Sequence, residues 1–110
     1  MRWLSCPYLG SVVELTEERE RHIERGHPSL LPGHMEELVA TVADPDYVGV
    51  KPGRGELGFV RACPEFMERH SVVVVVVADQ DARGGTVRYW MVTAYISRRT
   101  TTWRPIWKRS

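Results

Sequence analysis

A run of six consecutive valines, Val72 to Val77, constrains the fold more than any other feature of this 110-residue chain. Valine is branched at Cβ, which disfavours helix and favours extended strands. Alternate residues of a strand point to opposite faces of a sheet, so apolar groups must cover both faces of the run. The run therefore predicts a central strand. A chain of this length buries roughly two-thirds of its unfolded surface, which predicts one domain spanning residues 1–110.

Further strands are predicted on both sides of the valine run. Residues 47–51 and 56–63 precede it and are separated by a Pro-Gly turn, and a short strand at residues 8–15 opens the chain. Residues 87–96 follow a polar loop and are predicted to pair back against the valines. Because the links between these strands are short, antiparallel pairing is favoured. Strict alternation within residues 87–96 predicts that Thr93 and Tyr95 line one face.

Two helices are predicted between the first and second strands. Thr16 is expected to N-cap the first, which runs to about Arg25, where Gly26 and Pro28 end it. The second covers residues 32–43, because apolar residues recur there at helical spacing. These residues are Met35, Leu38, Val39 and Val42. Helices and strands that are segregated in this way predict an α+β domain.

The first helix is strongly polar, and Ile23 is its one clearly apolar residue. On a period of 3.6 residues, Arg19 and His22 lie on the same side as Ile23. Docking through Ile23 is therefore expected to place His22 at the edge of the buried stripe. A solvated helix, in which His22 has no role, is the alternative that the sequence leaves open.

Charge is unevenly distributed, although the net charge is only +1. Residues 1–55 carry a net charge of −3 and residues 56–110 a net charge of +4. The last 14 residues contain five basic side chains and no acidic one, and Trp103 and Trp107 lie among them. Positive charge beside aromatic rings suits RNA, so the tail is predicted to supply affinity rather than chemistry. Alternatively, its tryptophans cover the core.

Several functional classes are disfavoured by what the sequence contains. Cys6 and Cys63 are too few for a disulfide framework and are expected to be inert buried thiols. No cysteine and histidine pattern has zinc-site spacing, so neither a metal nor another cofactor is expected. The longest apolar run is far below the ~20 residues of a membrane helix, and the start does not resemble a signal peptide. A cytoplasmic protein without membrane association is expected.

Three segments together resemble a known group of nucleases. They are TEERERHIERGHP at residues 16–28, ADPDYV at 43–48 and MVTAY at 91–95, the last followed by basic residues. Over about residues 12–95 the chain resembles the phage-associated nuclease-like domains that are grouped with barnase, EndoU, colicin-type tRNases and RelE. The resemblance implies N-terminal helices packed on a curved antiparallel sheet of about four strands.

The resemblance also implies an activity, which is metal-independent cleavage of RNA by a toxin-type endoribonuclease. His22 matches the histidine of the first helix, and Thr93 matches the hydroxyl residue of the last strand. His27, in the His-Pro pair, is a third candidate for catalysis or for a structural role. Here Gly26 and Ser29 flank His-Pro, where the group usually has a basic and an acidic residue.

The chemistry of RNA cleavage indicates which other residues matter. Attack of the 2′-hydroxyl on the phosphodiester needs groups that transfer protons, a role that histidine fills near neutral pH. It also needs cations and hydroxyls around the phosphoryl oxygens. The candidates for substrate binding are Arg19, Lys51, Arg54, Arg61, Tyr95 and Arg98.

Other functions fit the same sequence. A non-catalytic module on the same fold would bind RNA or a protein through its basic end, and an interaction domain would use an exposed sheet edge. If the chain is a toxin, its partners are an RNA substrate, with tRNA as one candidate, and a cognate antitoxin or immunity protein.

Overall fold

A computed structural model of the chain describes residues 1–53, 55–63, 70–80, 85, 87–100 and 102–110. These residues form two α-helices, α1 (Glu17–Gly26) and α2 (Met35–Ala43). They also form seven strands: β1 (Arg2–Cys6), β2 (Ser11–Leu15), β3 (Tyr47–Val50), β4 (Glu56–Ala62), β5 (Ser71–Gln80), β6 (Val87–Ser97) and β7 (Arg104–Lys108). A 3₁₀ turn, Pro7–Leu9, links β1 to β2. Neither of these helices is long and apolar enough to cross a membrane.

The seven strands of the described residues form a single mixed sheet in the order β1-β2-β6-β5-β4-β3-β7. Every neighbouring pair is antiparallel except β2 and β6, which run parallel. The prediction of N-terminal helices on an antiparallel sheet of about four strands is therefore wrong. The chain opens with a pair of strands, and β2 joins β6 through the long connection that a parallel pair requires.

Two of the strands were missed for identifiable reasons. In β1, only Leu4 and Cys6 face the core, which is too short an alternation to stand out. In β7, Pro105 argues against a strand because proline cannot donate to a ladder. Since β7 lies at the edge of the sheet, that missing donor is tolerated.

The prediction for the valine run is confirmed. β5 lies in the middle of the sheet, and Val72 to Val76 are buried. Val72, Val74 and Val76 belong to a core on the face covered by the helices, which we call the helix face. Val73 and Val75 belong to a second, smaller cluster on the opposite face, which we call the outer face.

Both helices pack on the helix face. Ile23 is fully buried, so α1 docks through the predicted residue, and the Thr16 hydroxyl accepts a hydrogen bond from the Arg19 N–H (3.1 Å). The second helix starts at Met35 rather than Pro32, because residues 28–34 form turns whose Leu30 and Leu31 are buried. The sheet curves around this core, so that the ring of Tyr8, which follows β1, lies 5.4 Å from that of Trp107 on β7.

The outer face is covered by the C-terminal segment. Trp103 is only 2% exposed and packs with Val60, Val73 and Val75. Its ring lies directly on the backbone of Gly58, where a Cβ would be 2.4 Å from the ring. The alternative in which a tail tryptophan covers the core is therefore correct for Trp103.

Cys6 and Cys63 are both buried, as expected. Cys6 lies in the main core, where burial raises the pKa of its thiol above the ordinary value. A raised pKa disfavours the reactive thiolate.

Substitution of Gly58 should show how much the packing of Trp103 on the outer face contributes to stability. In Gly58→Ala the new methyl group would collide with the Trp103 ring, so we expect the free energy of unfolding to fall by about 1–3 kcal/mol. Gly26→Ala is the control, because nothing lies within 4 Å of its Cβ position. Urea denaturation of both variants measures the difference. Equal stabilities for the two variants would contradict the close contact with Trp103.

Candidate functional site

The first helix and β6 lie side by side because of how β2 ends. β2 pairs with β6 only at Val13–Tyr89 and Glu14–Trp90, and the chain then turns into α1. Helix α1 packs against β6. It therefore lies beside β6 where a longer β2 would have continued.

At its N-terminal end, α1 and β6 enclose a cleft of about 350 Å³. Arg19 lines this cleft from the helix, opposite Trp90 and Val92 of the strand. The other lining residues are Thr16, Glu18, Val77 and Met91. The guanidinium of Arg19 is thus placed beside an aromatic wall.

At its C-terminal end, α1 meets the same strand through His27. The His27 N–H donates to the Ile23 carbonyl, and the His27 carbonyl accepts from the N–H groups of Leu30 and Leu31. The half-buried imidazole lies 5.9 Å from the Tyr95 ring, measured between centroids. The backbone of His27 therefore has a structural role, and its side chain contacts the sheet.

His22 and Thr93 lie on neighbouring elements. Helix α1 meets β6 near Trp90 at its N-terminal end and at Tyr95 at its C-terminal end. His22 lies between these two ends of the helix, and Thr93 lies between these two residues of the strand. Ile23 points into the core, whereas His22 is exposed on the flank of α1 that also carries Arg19.

A bulge in β6 alters the alternation that the sequence predicted. The register with β5 shifts between Val75 and Val76, so that Met91 and Ala94 both face the main core. Thr93 and Tyr95 still share one face, the outer one, opposite Val75 and Val73.

Tyr95 is held by the residue that covers the outer face. Its hydroxyl accepts a hydrogen bond of 3.0 Å from the Trp103 indole N–H. The ammonium of Lys51 lies over the same indole, 4.5 Å from the ring centroid. Lys51, Trp103, Tyr95 and His27 thus form a continuous row of contacts that ends at α1.

Two other predicted residues lie apart from this row. Arg61 donates to the carbonyl (2.6 Å) and to a carboxylate oxygen (3.2 Å) of Asp44, at the end of α2. Arg98 is exposed just after β6. Arg54 lies outside the described residues.

Sequence reasoning missed an ion pair beside Trp90, one of the residues that line the cleft. Glu14 is only 4% exposed, and both of its oxygens accept hydrogen bonds from Arg88 (2.7 and 3.0 Å). The same guanidinium lies 4.4 Å from the centroid of the Trp90 ring. The signal was a lone carboxylate inside the apolar strand sequence SVVEL, which requires a partner when it is buried. The Arg88 hydrogen bonds hold the pKa of Glu14 below its ordinary value.

Metal-binding side chains are not grouped within the described ranges, where no three histidine, cysteine or carboxylate residues lie close enough to hold an ion. Comparison with protein-family models, curated proteins and solved structures finds no match for this chain. The residues themselves therefore carry the functional argument.

Replacing Glu14 with glutamine should destabilise the fold in a pH-dependent way. The pKa of Glu14 is lower in the folded state than in the unfolded state, so the ion pair stabilises the fold at neutral pH. We expect Glu14→Gln to lower the free energy of unfolding by about 1–2 kcal/mol at pH 7, allowing for the half-exposed arginine. This deficit should shrink once the pH falls below about 4, as the carboxylate of the wild type becomes protonated.

Denaturant titrations between pH 3 and pH 7 measure this deficit, with Glu36→Gln as the control because Glu36 is exposed. A deficit for Glu14→Gln that is constant over this range, or that grows on acidification, would contradict the assigned ion pair.

Proposed function

We propose that this protein is a metal-independent endoribonuclease of the toxin type, which cleaves RNA by attack of a 2′-hydroxyl on the adjacent phosphodiester. The observation that carries the proposal is that α1 runs beside the strand holding Thr93 and Tyr95, with the imidazole of His27 against the Tyr95 ring. The proposal rests on this juxtaposition and on the three sequence segments, not on the number of strands.

Two histidines supply the proton transfers in this proposal. Cleavage requires a base that takes the proton of the 2′-hydroxyl and an acid that protonates the departing 5′-oxygen. His22 is exposed on α1 and is therefore accessible to a bound RNA, and His27 lies at the end of the same helix. Imidazole fills both roles near neutral pH.

Charge on the phosphoryl oxygens is stabilised by groups on either side of these histidines. Arg19 projects from the same flank of α1 as His22 and supplies a guanidinium. The Tyr95 hydroxyl accepts from Trp103 and so retains its own proton for donation to an oxyanion. Thr93 adds a second hydroxyl on the same face of β6.

More distant cations act on the RNA backbone. The Lys51 ammonium lies over the Trp103 ring, which in turn contacts Tyr95. Arg98 follows the end of β6, three residues after Tyr95. Arg61 is not part of the proposed site, because its guanidinium is bound to Asp44 at the end of α2. If the activity is toxic, a cognate antitoxin or immunity protein is its proposed partner, and tRNA is one candidate substrate.

The decisive variant is His22→Ala. Loss of a general acid or base typically costs 10²–10⁴-fold, so we expect the cleavage rate to fall at least about a hundredfold. The melting temperature should hardly change, because His22 is exposed. Purified protein is incubated with bulk tRNA in excess EDTA, and cleavage is followed on denaturing gels. Thr93→Val, which keeps the shape of the side chain, should cost less than His22→Ala.

His34→Ala is the matched control, since His34 is paired with Glu37 at the start of α2. Unchanged cleavage by His22→Ala would move the chemistry elsewhere, and His27→Ala then tests the second imidazole. If the wild type binds RNA but cleaves none, the protein is a binding module instead.

A further inference from the structure

The second tail tryptophan differs from the first in being accessible. Trp107 on β7 is 37% exposed, and its ring lies 5.4 Å from that of Tyr8, which is 36% exposed. Tyr8 in turn meets the buried Phe59 edge-on, with centroids 6.0 Å apart. The pair therefore presents aromatic surface to solvent while one of its rings is supported by the core.

These two rings border a cleft on the helix-face side of the sheet edge. Its volume is about 580 Å³, within the range of roughly 300–1,000 Å³ that small-molecule sites occupy. Its remaining walls are apolar apart from one acidic and one basic residue. The lining is completed by Pro7, Ala43, Asp44, Pro45 and Arg109.

The charges around this cleft favour an anionic ligand. Arg109 donates to Asp46 (2.6 Å) and lies 3.5 Å from a carboxylate oxygen of Asp44, while Arg61 lies 3.2 Å from the other oxygen. The negative charges of Asp44 and Asp46 are thus balanced by the positive charges of Arg61 and Arg109. Arg104 and Lys108, at the two ends of β7, add exposed positive charge, and no acidic residue occurs from Ser97 to Ser110.

A comparably large cleft elsewhere differs in its lining. It lies between α1 and the start of β1, and Glu17, Glu20 and Glu24 line it together with Arg2 and Arg21. Both arginines are paired with carboxylates of α1, and the described lining residues include no aromatic ring on which a base could stack.

We propose that Tyr8 and Trp107 form a stacking subsite for an unpaired nucleobase of single-stranded RNA, with the exposed Arg104 and Lys108 of β7 beside its phosphates. The inference rests on the proposed endoribonuclease function and adds its substrate class. Unpaired bases expose the faces that stack on aromatic rings, whereas bases in a duplex are already stacked on one another. Because every base has such a face, the subsite tolerates many sequences.

Binding is tested with a short fluorescein-labelled single strand of 2′-O-methyl RNA. This probe lacks the attacking hydroxyl, so anisotropy reports binding separately from cleavage. Trp107→Ala and Tyr8→Ala should each weaken binding by about 5- to 150-fold, the effect of losing one stacked base. Trp107→Phe should retain most of the affinity, and the same sequence as a duplex should bind more weakly than the single strand.

Two controls separate stacking from damage to the fold. Ile106→Ala alters the same strand at a residue that is 50% exposed, and Trp3→Ala removes an exposed tryptophan from β1. Both should bind like the wild type. If Trp107→Ala lowers the melting temperature, its weaker binding does not distinguish lost stacking from damage to the fold. The affinities of Trp107→Phe and Tyr8→Ala then test whether the rings stack on the RNA. Truncation at Arg104 is avoided, since β7 pairs with β3.

The outcomes distinguish this subsite from the proposed activity. Affinities of Trp107→Ala and Tyr8→Ala equal to that of the wild type, or equal binding of the duplex, would overturn the subsite even if the wild type cleaves RNA. Binding that depends on both rings supports it, including in a protein that cleaves no RNA. Absence of any binding by the wild type would overturn it.

Discussion

Burial of both faces of β5 is the constraint on which the rest of the structure depends. The helices cover Val72, Val74 and Val76, but they leave the opposite side of the strand open. Trp103 supplies the second cover, and to do so the chain must return across the outer face after β6. That return is what brings β7 beside β3.

The same cover organises the proposed active site. The Trp103 indole donates to the Tyr95 hydroxyl and packs beneath the Lys51 ammonium. In the proposed function, a substrate would reach Tyr95 from the side of α1, where His27 lies, because Trp103 covers the outer face. Trp103 therefore stabilises the fold and, in the proposed function, also orients Tyr95.

The local features were predictable from the sequence, and the long-range ones were not. The valine strand, the Thr16 cap and docking through Ile23 follow from propensity and periodicity over a few residues. The parallel pairing of β2 with β6 and the edge strands depend on contacts between distant segments, which no local pattern encodes. Among the candidate site residues, His27 and Tyr95 could be named from the sequence but their contact could not, and the Glu14–Arg88 pair was missed because the two residues are 74 positions apart. The sequence also could not show that Arg61 binds Asp44 and lies apart from His27 and Tyr95.

The ends of the cleavage products test the central claim most directly. Attack by a 2′-hydroxyl expels the 5′-oxygen and leaves a 2′,3′-cyclic phosphate on one fragment and a 5′-hydroxyl on the other. Mass spectrometry of a short RNA digested by the wild type in excess EDTA identifies these ends. We expect the cyclic phosphate paired with the 5′-hydroxyl. Products with 5′-phosphate and 3′-hydroxyl ends, or intact RNA, would contradict the proposed endoribonuclease.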